Sequence, residues 1–199
     1  MSGAEMANAK HFLGSSGPAI NRMAHSGHPL QTRAIAINWR RSRWLVGKVQ
    51  FGGECIDVPP EILALARPAV ENSSRNVRLI SHTAESLPLD DKSFDTVVVT
   101  WALCSIPDPV VALRQARRVL KPGGQLRFVE HGLAPNAGVA RWQDRLTPMW
   151  SYCAGGCHLN RKTDDLLGAA GFTIPELSTG YAPGLRPFSY MYEGTAVPT

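Results

Sequence analysis

One continuous segment, FDTVVVTWALCSIPDPVVALRQARRVLKPGGQLRFVEHG, constrains the fold more than any other part of the chain. Phe94–Thr100 is a short apolar run rich in β-branched residues, the pattern of a strand buried on both faces. Residues 109–120 then place Val110, Leu113, Ala116 and Leu120 along one helical face, with Arg114, Arg117 and Arg118 outside it. KPGG stops the helix, and QLRFVEHG starts the next strand. Two buried strands joined by a helix require a crossover connection, which lays them parallel in one sheet covered on both faces.

The same alternation extends in both directions. A strand is predicted near Cys55–Val58, a helix from Pro60 to Ala66 that Pro68 ends or kinks, and a buried strand over Val77–His82. Later come helices over 139–153 and 163–170 and two strands around 173–177 and 189–197. The expected fold class is α/β, a doubly wound and mostly parallel sheet with helices on both faces. Residues 51–199 are read as its domain. Residues 1–50, rich in Gly, Ser, Pro and His, show no sustained period and are read as a poorly organised segment.

A chain of 199 residues that is 44% hydrophobic suits one domain with an ordinary core. No apolar run reaches the length of a membrane span and the first residues lack the order of a secretory signal, so a cytoplasmic protein without stable membrane insertion is expected. The four cysteines do not form the framework of a small secreted fold. The net charge of +5 owes much to Arg33, Arg40, Arg41, Arg43 and Lys48. No stacking platform or helix-turn-helix accompanies them, so no nucleic-acid partner is expected.

In parallel sheets ligands bind beyond the carboxyl ends of the strands. That rule selects Asp57, the run Thr83–Glu85, the run Thr100–Leu103, and Glu130–His131. Asp57 could accept hydrogen bonds from both hydroxyls of a ribose, or could equally cap the helix after it. Ala84 is small enough for a planar base to approach the backbone, with Thr83 and Glu85 at its edge and Leu87 and Leu89 as apolar cover; a simple turn at Pro88–Asp91 is the alternative. His131 could remove a proton, hold a substrate, or serve as a hydrogen-bonded structural histidine. Trp142, Trp150 and Tyr152 either cap a pocket or pack in the core. Cys153, Cys157 and His158 offer three soft ligands in CAGGCHLN, one short of a closed zinc site, so no metal is expected and a Gly-Gly turn between two elements is the reading adopted.

LPLDDKSFDTVVVTWALCSIPDP followed by ALRQARRVLKPGGQLRFVE resembles the middle of class I S-adenosylmethionine-dependent methyltransferases, in particular their type 11 branch. RWQDRLTPMWSYCAGGCHLNRKT and YMYEGTAVP are similar to the methyltransferase-like proteins that act on small thiols. The resemblance spans about Glu54 to Pro198. It implies a Rossmann-like sheet, S-adenosyl-L-methionine as cofactor, and methyl transfer to a small-molecule acceptor, with a thiol suggested by the C-terminal third. It also implies that Asp57 binds the ribose, that Thr83 and Ala84 lie beside the adenine, and that Thr100 lines the methionine end. The strand-end reading adds Glu85 and Leu103 to the cofactor-binding residues and His131 as the catalytic candidate. Thr83 stands where the family often carries an acid.

Such enzymes have a glycine-rich loop after the first strand, where backbone approaches the cofactor closely. Here the region before Asp57 reads AINWRRSRWLVGKVQFGGE. Lacking the loop, the chain could instead be a degenerate relative that binds cofactor weakly or not at all and serves as a partner-binding module. An NAD enzyme is disfavoured because its own glycine fingerprint is absent too. With Trp as TGG, Arg as CGN and Ser as TCN, WRRSRW read one base later becomes GGC-GNC-GNT-CNC-GNT-GG. That spells Gly-x-Gly-x-Gly-Gly when the relevant third bases are G. Residues 39–54 are thus expected to be a shifted-frame remnant of the loop; the gene sequence checks this, and codons that cannot yield those glycines exclude it.

Overall fold

The structure, a computed structural model, describes residues 34–38, 53–57, 67–68, 71–72 and 77–199. Its strands are β1 (Ala34–Asn38), β2 (Gly53–Asp57), β3 (Val77–Ser81), β4 (Phe94–Thr100), β5 (Leu120–His131), β6 (Phe172–Tyr181) and β7 (Tyr190–Pro198). Its helices, numbered among the described residues, are α1 (Pro109–Val119), α2 (Ala137–Cys153), α3 (Thr163–Ala169) and α4 (Arg186–Ser189). One sheet holds all seven strands in the order β3-β2-β1-β4-β5-β7-β6. The first five are mutually parallel, while β7 runs antiparallel to both β5 and β6. The chain moves outward from β1 to β3 and returns to place β4 on the other flank of β1. This reversal creates a topological switch point between β1 and β4.

The central unit follows from the local chemistry read above. In β4 every residue except Asp95 is buried, as its near-continuous apolar run requires. Asp108 caps α1 by accepting from the Val111 amide at 3.0 Å, and Pro109 supplies a pre-set first helical residue. The buried face of α1 is Pro109, Ala112, Leu113, Ala116 and Val119. It is rotated from the expected one, so Val110 is only half-buried and Ala112 and Val119 carry the contact. Arg118 is also not free of the fold: its guanidinium donates to the carbonyls of Leu87 and Leu89 at 2.9 and 2.7 Å and clamps the β3–β4 connection.

After Val119 the chain turns extended at once. Leu120 pairs with Phe94, the KPGG step interrupts the ladder with Gly123 at φ 77°, and pairing resumes at Gln125 opposite Thr96. The core lies between this sheet and its helices, centred on Phe94, Val97, Leu113, Ala116, Leu126, Phe128 and Leu167.

Two expectations are revised. Residues 1–50 were expected to form a poorly organised segment, yet Ala34–Asn38 lies in the middle of the sheet, hydrogen-bonded to β2 and β4. Five residues are too few to show a period, and only their sheet neighbours identify them as a strand. On α2 only Gln143 and Thr147 are buried; Trp142 and Tyr152 face outward and are not core residues, while Trp150, 36% exposed, packs its ring on Phe188 at 4.7 Å between centroids. The expected helix at Pro60–Ala66 lies outside the described residues.

Two glycines separate the roles this residue plays. A Cβ at Gly194 in β7 would meet the Glu176 carbonyl oxygen at 2.1 Å, whereas one at Gly168 in α3 would meet nothing within 4 Å. We expect Gly194→Ala to destabilise the protein by about 2–3 kcal/mol because the β6–β7 backbone must shift. Gly168→Ala should stabilise it by up to ~1 kcal/mol through helix propensity. Urea denaturation of both variants reads the opposite signs.

Candidate functional site

The carboxyl ends of the parallel strands are level. Asp57 pairs with Ser81, Asn38 with Thr100, and Thr100 with Val129, while Ile37 pairs with Ile56 one step before Asn38 and Asp57. Ends of five strands therefore form one row, with the switch point between Asn38 and Thr100. Asp57 closes β2 as the sequence predicted; its side chain lies outside the described ones.

Thr100 is 1% exposed, and its hydroxyl finds no hydrogen-bond partner among the described residues. An unpaired buried hydroxyl is costly and uncommon, and this one lies at the switch point between β1 and β4. Beyond it Trp101 takes a left-handed conformation, φ 53°, and its amide donates to the Val129 carbonyl at 3.1 Å. The Ala102 amide then donates to the Glu130 carboxylate at 2.8 Å. Glu130 is fully buried, and burial pushes its carboxyl up to about 7 against the lowering effect of the Ala102 amide and the neighbouring His131.

Leu103 is buried, and its carbonyl accepts from Arg161 at 2.6 Å. The same guanidinium nitrogen donates to the Ile106 carbonyl at 2.6 Å. The turn leaving β4 is thus held by a carboxylate on one side and a guanidinium on the other.

Thr83, Ala84 and Glu85 lie in the turn after β3, and Ala84 is buried. The Thr83 hydroxyl donates to the Glu85 carboxylate, whose other oxygen accepts from the Asp108 amide at 3.4 Å. Both polar side chains are therefore engaged in joining this turn to the start of α1. Leu87 is buried below them and Leu89 packs against the core.

His131 ends β5 and is buried. Its Nε2 lies 3.1 Å from the Cys157 sulfur, and its ring sits 5.7 Å from that of Trp101. Cys104, from the turn after β4, completes a group in which the ligand atoms of Cys104, His131 and Cys157 all lie within 4.8 Å of one another. Cys104, Cys153 and Cys157 are free thiols. Cys157 is held well below the usual thiol range by hydrogen bonds from Cys104 and His131, the first being the larger, and Trp150 Nε1 adds another at 3.3 Å. Cys104 is pushed up, chiefly by donating that bond and by burial.

The sequence singled out His131 and Cys157, but paired Cys157 with Cys153 and His158. In the structure Cys153 is exposed, and His158 turns its Nδ1 to the Gly156 carbonyl at 2.7 Å. Glu130 was among the strand-end residues selected from the sequence, whereas Cys104 and Arg161 come to the site through strand order and loop docking, which local spacing does not reveal.

A recess of about 510 Å³ lies at the opposite end of the strands, lined by Lys92, Arg114, Arg117, Arg118, Lys121 and their neighbours. Arg118 and Lys121 there already pair with Asp91 and Asp95. It has no part in the strand-end site.

The chain's similarities agree with this geometry. A family model described as a methyltransferase domain matches residues 51–128. Thiol S-methyltransferase TMT1B of Rattus norvegicus is 37% identical over 127 residues, covering 62% of this chain and 52% of the rat protein. Thiol S-methyltransferase TMT1A of Homo sapiens is 34% identical over 146 residues, covering 69% of this chain and 60% of the human one. The chain thus spans about half to three fifths of the length of these relatives. Among solved structures, a SAM-dependent methyltransferase of Methanosarcina mazei has a TM-score of 0.69 at 21% identity, covering 88% of this chain and 96% of that one, a likeness of fold. With its matched domain, strand order and relatives taken together, the chain is similar to S-adenosylmethionine-dependent methyltransferases and carries a methyltransferase-domain match over residues 51–128.

Proposed function

We propose that the protein transfers a methyl group from S-adenosylmethionine to a small-molecule acceptor, and that this acceptor is a thiol. The observation that carries the cofactor half is the buried, unpartnered Thr100 hydroxyl at the β1–β4 switch point. The described residues fit the cofactor there: a row of level strand ends, a buried small residue at Ala84, and a hydroxyl awaiting a partner. In this reading Asp57 holds the ribose, the turn Thr83–Glu85 borders the adenine, and Thr100 and Leu103 line the methionine end. The Thr83–Glu85 pairing leaves Ala84 and the backbone, rather than a free acid, to meet the base edge.

The cofactor, when bound, supplies an electrophilic methyl group on a sulfonium with a good leaving group. The chain's own residues then have to align the acceptor and exclude water. His131, buried beside Cys157, serves by holding the acceptor in place. The thiol reading is supported by the two relatives, whose names state thiol S-methylation. Among the described residues no helix is long and apolar enough to cross a membrane.

The competing reading, a degenerate member acting as a partner-binding module, is favoured by one feature. WRRSRW follows β1 where glycines would let the cofactor approach. Calorimetric titration with S-adenosylmethionine separates the two. We expect saturable binding by the purified chain; its absence supports the degenerate reading. Asp57→Ala should weaken binding by on the order of 1–3 kcal/mol, roughly 5- to 150-fold.

Thr100→Val gives an independent signature. It should raise stability by roughly 1 kcal/mol, because a buried hydroxyl without a partner is replaced by a methyl group. It should also lower cofactor affinity by about fivefold, the loss of one neutral hydrogen bond. Thermal denaturation and calorimetry of the same sample read both, and a loss of stability would remove Thr100 from the cofactor site.

A further inference from the structure

We propose that Cys104, His131 and Cys157 form a three-ligand site for a thiophilic divalent cation, Zn²⁺ by its chemistry, whose fourth position receives the acceptor's thiolate. The inference deepens the methyl-transfer reading and rests on it for the identity of the fourth ligand. The three protein ligands stand on geometry alone.

The geometry is that of a compact Cys₂His set. In a tetrahedral zinc site with Zn–S near 2.3 Å and Zn–N near 2.0 Å, neighbouring ligand atoms lie roughly 3.5–3.8 Å apart. Here His131 Nε2 is 3.1 Å from the Cys157 sulfur, and no pair of the three atoms exceeds 4.8 Å. Sub-ångström side-chain shifts bring the set onto one ion. All three residues are buried, so the ion would be shielded from bulk water. Two thiolates and an imidazole select a soft or borderline metal over magnesium or calcium, which take oxygen ligands.

The surrounding structure is built to hold these atoms. Gly155 and Gly156 take φ values of 63° and 84°, turning the chain sharply before Cys157. The His158 amide donates to the Cys104 carbonyl at 2.7 Å, fastening the two cysteine segments side by side. Trp150 Nε1 reaches the Cys157 sulfur at 3.3 Å, and the Ser105 hydroxyl lies 3.4 Å from that of Cys104. Donors of this kind orient and tune sulfur ligands from outside the coordination shell. The Arg161 guanidinium, half-buried, interacts favourably with both cysteines. Zn²⁺ with two thiolates is neutral, and a third thiolate makes the site anionic. A neighbouring guanidinium favours that loaded state.

Three protein ligands leave a tetrahedral ion one open position, the mark of a catalytic rather than a structural site. A thiol that has left its proton in solvent enters there as thiolate, and coordination keeps the nucleophile deprotonated at neutral pH. Its sulfur lone pair forms the new S–CH₃ bond while the S–CH₃ bond of the sulfonium breaks. The electron pair of the broken bond stays on the sulfur of departing S-adenosylhomocysteine. Thiolate and sulfonium each become a neutral thioether, and a thioether is the weaker ligand, which frees the position.

The test uses the full chain. Elemental analysis should find about one zinc per protein, falling at least tenfold in Cys104→Ser/Cys157→Ser and unchanged in Cys153→Ser. Cobalt loaded in place of zinc should give intense tetrahedral and sulfur-to-metal absorption, and 2-mercaptoethanol, but not ethylene glycol, should intensify the sulfur band. The cobalt spectrum of the unaltered protein holds even if the double variant misfolds. Failure of the unaltered chain to take up either metal, metal retained by a folded double variant, or a Cys104–Cys157 disulfide in the native protein would overturn the site. A chain that binds S-adenosylmethionine yet no metal sinks this inference alone; one that binds metal yet no cofactor sinks the acceptor role and leaves the three ligands standing.

Discussion

A strand that ends inside a protein leaves peptide groups without ladder partners, and in a buried place each of them must be satisfied. This constraint governs the exit of β4. The Trp101 amide borrows the Val129 carbonyl from the neighbouring strand, and the Ala102 amide finds the Glu130 carboxylate. The carbonyls of Leu103 and Ile106 turn to Arg161, and that of Cys104 to the His158 amide. Gln143, buried within α2, does the same service for the exit of β5 by accepting from the Ala134 amide at 2.9 Å and donating to the Gly132 carbonyl at 2.9 Å. Glu130, Arg161 and Gln143 are far apart in the chain, and the strand ends recruit them. Ionisable groups are thereby drawn into the interior beside a row of strand termini, where they acquire unusual proton affinities.

The turn after β4 is fixed from both sides, and the segment it holds runs from Thr100 to Cys104. Thr100 pairs with Asn38 of β1, and the Cys104 sulfur lies by His131 at the end of β5 and Cys157 after α2. Only three residues lie between Thr100 and Cys104. In the proposed reading one serves the cofactor and the other the acceptor, and a turn with its carbonyls clamped holds such groups more rigidly than a free loop.

The parallel centre of the fold was legible because buried strands and an amphipathic crossover helix leave strong local marks. Phe94–Thr100 was bounded correctly, and the helix at Pro109 was placed to within a residue of its end. The helix face was misjudged by about one position. Alanine and a terminal valine carry less hydrophobic weight than Val110, yet they stand where the sheet is closest. β1 was invisible in isolation, since AIAIN has no room for a period and its identity comes from two hydrogen-bonded neighbours. Trp142 and Tyr152 of α2 point outward for the converse reason. A helix whose buried face is made of Gln143 and Thr147 inverts the usual pattern, polar inside and aromatic outside.

The thiol–imidazole group shows why local spacing fails at a site. Cys153, Cys157 and His158 fall within six consecutive residues and invite a common ligand, but the Gly155–Gly156 turn aims Cys157 inward and leaves Cys153 in solvent. Its true neighbours are 53 and 26 positions earlier in the chain. They meet because β4 and β5 are adjacent in the sheet, and because the amide next to Cys157 is held by the carbonyl of Cys104. A chemical constellation of this kind is specified by the hydrogen bonds that close strand ends. The side chains that satisfy those ends deserve the same scrutiny as the reactive groups, since loss of Arg161 or Gln143 would move a sulfur or an imidazole without touching either.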